Sequence, residues 1–229
     1  MALLPRTPIR EYDRNAIIYN LEDHAEALCL VIEGRVKVSR PAEGGKEVVF
    51  AFLGPDSFFG ETALLGPQPR GELAVAVDPT SLMYWTLPDL KRLMARNLAL
   101  GPALWRVLAE KLSEANRRIE SLCRDPIHRR LARALVGLGE RMGQTGDGHE
   151  LHLPPVTHEQ LAGLVGTSRE IVTQHMNQFR RQRLLKYSRR GLDLDLAALH
   201  KYLGLNGALT KTSTPAGSSG PESSSCPPG

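Results

Sequence analysis

At Pro88 the hydrophobic pattern of this chain changes period, and that change limits the fold more than any other feature. From about residue 9 to 87, short apolar runs alternate with turn residues. "EALCLVIEGRVKVSR" holds a buried-strand run, a turn at Gly34, then alternation at Val36 and Val38. "KEVVFAFLG", "GELAVAV" and "SLMYWTL" repeat the theme, punctuated at Gly44-Gly45, Gly54-Pro55 and Gly66-Pro67. Short strands with regular turns predict a small all-β roll or barrel. Beyond this region the spacing is helical. "LPDLKRLMARN" is amphipathic and sets Pro88 near a helix start, where its missing N–H costs nothing.

A second helix is predicted after Gly101-Pro102. Its apolar positions are Leu104, Leu108, Leu112, Ala115, Ile119 and Leu122, at steps of 4, 4, 3, 4 and 3. That is close to a coiled-coil stripe. One seam flanked by charged residues fits a helix pairing with its twin better than one lying on its own β domain, so a homodimer is expected. Asp125-Pro126 breaks this helix, because the residue before Pro avoids the α region; it is the candidate hinge. A basic amphipathic helix, "IHRRLARALVGLGERM", follows, then "GQTGDG" as a loop and "HELHLPP" as a short strand or extended lead-in. The tail from about residue 205, rich in Gly, Ser, Pro and Thr without apolar periodicity, reads as disordered. The predicted class is α+β: a β-roll over 1–100, a dimerisation helix and hinge over 101–125, and a helical domain with a hairpin over 126–204.

The bulk numbers of the 229 residues exclude several functions. At 41% hydrophobic and 24% charged, the chain reads as a soluble globular protein, and no apolar run is long enough to cross a bilayer. The start "MALLPRTPIR" lacks a signal peptide's apolar segment, so a cytoplasmic location is expected. Cys29, Cys123 and Cys226 are too few and too widely spaced for a disulfide framework or a paired-cysteine metal motif; inert buried thiols are expected. No His-Glu-x-x-His, phosphate loop or Gly-x-Ser-x-Gly elbow occurs, so neither a metal site nor an enzyme is indicated. The charge is unevenly placed. Of a net +4, Thr157 to Gly191 carries seven Lys/Arg and two Asp/Glu, a local +5, leaving −1 for the rest. A basic segment on a near-neutral body is a nucleic-acid footprint, although a membrane-surface helix carries similar charge.

That segment includes "LAGLVGTSREIVTQHMNQFRRQ". Thr157-x-x-Gln160 and Thr167-x-x-Glu170 both fit capping boxes, each marking a helix start. Leu161, Ala162, Leu164 and Val165 make one apolar face; Ile171, Val172, Met176 and Phe179 make the other. Ala162 allows close crossing and Gly166 permits the turn. This is the spacing of a helix-turn-helix. Arg169 can grip guanine O6 and N7, Glu170 can accept from a cytosine amino group, and Gln174 can pair with adenine. Thr157, Ser168 and Thr173 carry hydroxyls suited to phosphate oxygens. "LLKYSRRGLDLDL" predicts a hairpin wing with Arg189 and Arg190 near the DNA backbone.

In this order, the elements resemble the Crp–Fnr superfamily of bacterial transcription regulators. The resemblance covers about residues 9 to 203. "LVIEGRVKVSR" with "FGETALLGPQPRGELAVA" carries one half of it, and "THEQLAGLVGTSREIVTQHMNQFRRQRLL" the other. It implies a homodimeric regulator that binds a palindromic double-stranded DNA site, contacts RNA polymerase, and is controlled by an effector in the roll. Gly60 and Glu61 look like the phosphate-cassette Gly-Glu, and Arg70 like its phosphate-gripping Arg. Two departures bear on cyclic nucleotides. Gly71 stands where cyclic-AMP binders have Ser or Thr, a lost bond worth on the order of 1.5–3 kcal/mol. Ala115 and Asn116 stand at the adenine-facing hydroxyl pair, and of these only Asn116 can hydrogen-bond a base through its side chain. Three alternatives to effector control remain: a ligand-free, constitutive regulator in which Glu61 and Arg70 form a structural ion pair; a ligand-binding module with a membrane or protein partner; and a thiol sensor.

Overall fold

The structure is a computed structural model and describes residues 8–145, 150–188 and 191–204. The predicted tail, the loop residues 146–149, and the wing-tip Arg189 and Arg190 lie outside the described residues.

The N-terminal strands fold into two facing four-stranded sheets. One has the order β1 (Arg10–Tyr12), β8 (Thr80–Thr86), β3 (Ala27–Glu33), β6 (Phe58–Phe59). The other runs β2 (Ile17–Tyr19), β7 (Leu73–Ala76), β4 (Val36–Pro41), β5 (Glu47–Leu53). Every strand pairing in these two sheets is antiparallel, as expected when strands are joined by short turns. Between the sheets lie Tyr19, Cys29, Val31, Val36, Val38, Phe59, Ala74 and Leu82, all buried. Period-two alternation places them there.

Helix α1 (Leu87–Arg96) opens with a capping box between Thr86 and Asp89, with Pro88 in its first turn. Helix α2 (Leu100–Arg124) is the predicted long helix. The early part of its stripe lies on the roll: Leu104 packs against Leu28, Leu30, Met83, Trp85 and Leu90. From Leu112 onward the stripe is bare, with Leu112 63% and Ile119 58% exposed, and Leu122 exposed as well. Asp125 and Pro126 both take extended backbone, which ends α2. The Asp125 carboxylate holds this junction, accepting from Ser121 Oγ at 2.7 Å and Arg133 Nε at 2.8 Å.

Helices α3 (Ile127–Met142), α4 (His158–Val165), α5 (Arg169–Arg181) and α6 (Leu196–Leu203) enclose the second core. They pack with a sheet ordered β11 (Leu185–Ser188), β12 (Gly191–Asp195), β10 (Glu150–Leu153), β9 (Gln144–Thr145). "GQTGDG" is not all loop as the sequence predicts: its Gln144 and Thr145 pair with β10, because that strand offers them an open edge. The wing is therefore not a lone hairpin.

This second core is not confined to residues 126–204. Val49 and Phe52 of β5 are buried with Leu131, Leu161 and Val165. A Cβ on Gly163 would sit 2.5 Å from the Glu47 carbonyl oxygen, so α4 lies directly on the outermost strand of the roll. β5 serves both cores because its pairing with β4 shifts register at Phe50, so Val49 and Phe52 share the outer core while Ala51 and Leu53 join the core of the roll.

Candidate nucleic-acid interface and sensor pocket

Helix α4 starts at Thr157, whose side chain accepts from Gln160 N–H while the Gln160 side chain accepts from Thr157 N–H, the predicted capping box. It ends at Gly166 in the left-handed conformation (φ 68°), which glycine adopts without steric cost. Gly166 N–H and Thr167 N–H both bond to Ala162 O. Because Thr167 is thus spent closing α4, the cap of α5 is Ser168, which accepts from Ile171 N–H. The expected Thr167–Glu170 capping box does not form. Glu170 sits one position earlier in the turn than a capping box requires. Its carboxyl is held below the usual range by the Ser168 hydroxyl, with smaller help from Arg169 and Lys46.

Helix α5 buries Val172, Met176 and Phe179. Each such side chain stabilises the helix pair by about 1.5–3 kcal/mol. Arg169, Glu170, Gln174, Gln178 and Arg180 all fall on the exposed side. The three expected base readers therefore share one solvent face at the N-terminal end, where a recognition helix meets base edges. His175, beneath them, meets the His128 ring in a tilted contact, 5.9 Å between centroids.

The three expected phosphate hydroxyls are differently occupied. Thr157 acts as acceptor in its cap and keeps its own hydrogen to donate. Ser168 is engaged by Ile171 N–H and Glu170. Thr173 donates to Arg169 O at 2.9 Å and meets His158 Nδ1 at 2.8 Å. Sequence reasoning missed His158 and its second neighbour, the Tyr187 hydroxyl, 2.9 Å from Nε2.

In the roll, Gly60 caps a short 3-10 helix, Glu61–Leu65. Glu61 and Arg70 do not pair. Arg70 is buried, and its two Nη atoms donate to Gly60 O and Ala27 O, both at 2.8 Å. Its guanidinium lies 4.3 Å from the Tyr19 ring centroid. Glu61 instead takes Lys111 Nζ of α2 at 2.8 Å. Tyr19 donates to Glu72 Oε1 at 2.7 Å. Burial is the largest cause pushing the Glu72 carboxyl above its ordinary range. Gly71 is left-handed (φ 69°); its carbonyl accepts from Arg40 and its N–H donates to Leu21 O. Asn116 is exposed on α2, and it is Lys111 that reaches the cassette. The two described cysteines differ. Cys29 is buried, with its thiol pushed up to about 12 by that burial, whereas Cys123 is exposed, against the expectation of buried thiols.

Residues 9–97 match the family described as the cyclic nucleotide-binding domain, and residues 129–202 the Crp-like helix-turn-helix domain. The chain is 32% identical over 190 residues to the cyclic AMP receptor protein of Thermus thermophilus, covering 83% of this chain and 85% of that one. The chain belongs to the Crp–Fnr family of transcription regulators. Another relative, a CRP-like cAMP-activated global transcriptional regulator of Mycobacterium tuberculosis, is 29% identical over 74% of this chain and 75% of that one. A solved Crp/Fnr-family transcriptional regulator, also from Thermus thermophilus, superimposes with a TM-score of 0.69 at 28% identity, over 87% of this chain and all of that one.

As a Crp–Fnr protein the chain is a DNA-binding transcription regulator with a sensor roll. In its cassette, both Nη atoms of Arg70 are turned to backbone carbonyls and Gly71 has no hydroxyl, while the Arg70 Nε is buried without a hydrogen-bond partner. Among the described residues no cluster of potential metal ligands occurs, and no helix is long and apolar enough to cross a membrane.

Proposed function

We propose that this regulator acts as a homodimer, joined along the lower half of α2, that reads a palindromic site with Arg169, Glu170 and Gln174. The exposed face of α5 carries the reading: two charged side chains and an amide, on the solvent side of a helix whose other side is locked in the core. Thr157 and Ser168, together with Arg189 and Arg190 of the wing sequence, are its proposed backbone contacts. The bare stripe of Leu112, Ile119 and Leu122 supplies the twofold seam. A twofold dimer sets two such helices in successive major grooves, about 34 Å apart. RNA polymerase, as the partner at promoters, and the cytoplasm, as the location, follow from kinship with the family. The test is selection from random duplex DNA. Enrichment of a palindrome with a G·C step in each half-site supports the reading; unstructured, non-palindromic sequences overturn it.

A second reading concerns control. The commitments of Arg70 and Glu61 favour a regulator that does not answer to cyclic nucleotides. It is either constitutive or tuned by another effector. Isothermal titration with cyclic AMP and cyclic GMP decides this. No heat and an unchanged melting temperature agree with it; micromolar binding abolished by Arg70→Ala would restore nucleotide gating.

A further inference from the structure

His158 is the first residue of α4, and its ring ties three elements together. Thr173 comes from α5 and Tyr187 from β11. With the Thr173 hydrogen on Arg169 O, Thr173 Oγ1 accepts from His158, which puts the ring hydrogen on Nδ1. Nε2 is then an acceptor, and Tyr187 donates to it. In this arrangement the imidazole carries a single hydrogen. Burial first, then the Arg169 cation, hold it below its ordinary value. The groups facing this cluster are Arg169 and Thr173 from α5 and Tyr187 from β11, with Arg180 acting on Tyr187. No carboxylate figures among the groups acting on the ring.

The cluster lies where the N-terminus of α4, the N-terminal half of α5 and strand β11 meet, and Tyr187 is 45% exposed. In helix-turn-helix docking the first helix crosses the phosphate backbone, with the recognition helix in the adjacent groove. A phosphate arriving here supplies the anion that the free cluster lacks. The geometry points to His158 as a proton-linked contact to the DNA backbone: on binding, Nε2 takes one proton from solvent, and the Tyr187 hydroxyl turns over. It then accepts the new Nε2–H and donates its own hydrogen to a phosphate oxygen. Nδ1–H stays on Thr173, so Thr173 steadies Arg169 and is not itself the phosphate ligand. Each subunit gains one positive charge as DNA binds. This inference rests on the DNA-binding reading and adds that DNA affinity is coupled to pH through one named residue.

The test measures affinity for a selected duplex by fluorescence anisotropy from pH 6 to 8 at constant ionic strength, in the full-length wild type and in His158→Gln. Linkage allows up to about tenfold tighter binding per subunit for each pH unit between the bound-state and free-state midpoints. The wild type should tighten as pH falls, and His158→Gln should lose most of that slope. An equal slope in both proteins overturns the proposal; absence of binding at every pH would instead overturn the DNA reading itself. Should His158→Gln fail to match the wild-type melting curve, ring-nitrogen chemical shifts of His158 in the wild type decide. An imidazolium signature on adding DNA near neutral pH supports the proposal, and a ring that stays neutral rejects it.

Discussion

Arg118 Nη2 donates to Leu164 O at 2.8 Å, linking the middle of the long helix α2 to the last turn of α4. The same guanidinium donates to Val49 O at 2.6 Å and to Phe50 O on β5. One side chain thus satisfies carbonyls from both domains, and burial lowers its own proton affinity. Arg118→Ala leaves those oxygens without their donor, costing about 1–3 kcal/mol. Urea unfolding should show that loss, with Arg118→Lys recovering only part, because an ammonium lacks the planar fork. Unchanged stability in Arg118→Ala would mean that the domains are held without it.

Gly163 makes another contact between the domains. An added methyl at 2.5 Å from Glu47 O meets backbone, which cannot swing aside. Gly163→Ala should therefore push α4 off β5 at a cost of about 1–3 kcal/mol. Hydrogen exchange should rise at the amides of residues 47–50 while the inner strand β3 stays protected.

Glu72 gives a pH-dependent prediction. Its folded carboxyl titrates above its ordinary value, because burial outweighs the Tyr19 hydrogen bond. The folded state then holds the proton more tightly than the unfolded chain. That contribution is complete below the ordinary carboxylate range and is lost as pH rises through the folded value. Glu72→Gln keeps an oxygen for Tyr19 and removes the charge. It should melt higher than the wild type at pH 7, with the gap closing toward pH 4. A gap independent of pH would contradict the sign.

The bare half of α2 predicts assembly. Leu112→Glu combined with Ile119→Glu puts like charges on both sides of a twofold seam and should yield monomers by light scattering, with the roll still folded. A dimer that survives the pair must join elsewhere.

Where the governing interactions are local, the sequence is enough to place them. The α4 capping box joins residues three positions apart, and the inward faces of α4 and α5 follow from a 3.6-residue period. The break at Asp125-Pro126 follows from one steric rule. Adjacent hydroxyls defeat the same reasoning one turn later. Thr167 and Ser168 both look like caps, and the bonds that close α4 on Ala162 decide between them. The sensor pocket escapes the sequence for a related reason. Glu61 meets Lys111, 50 residues away, rather than Arg70, and no short-range pattern encodes that contact. Glu72 is within reach of sequence reasoning, since alternation puts it on the side of buried Ala74 and Ala76. The His158 cluster spans 15 and 29 residues, and only the packing of the wing on the helix pair brings it together.

The claim that α5 reads base edges is tested most directly by the affinity of Arg169→Ala for the selected palindrome, measured against a scrambled duplex at the same salt concentration. Loss of a bidentate guanine contact is worth about 1–3 kcal/mol per half-site. The account predicts weaker binding to the palindrome by roughly tenfold or more, with binding to the scrambled duplex falling far less. Equal losses on both duplexes, or none on either, would contradict it.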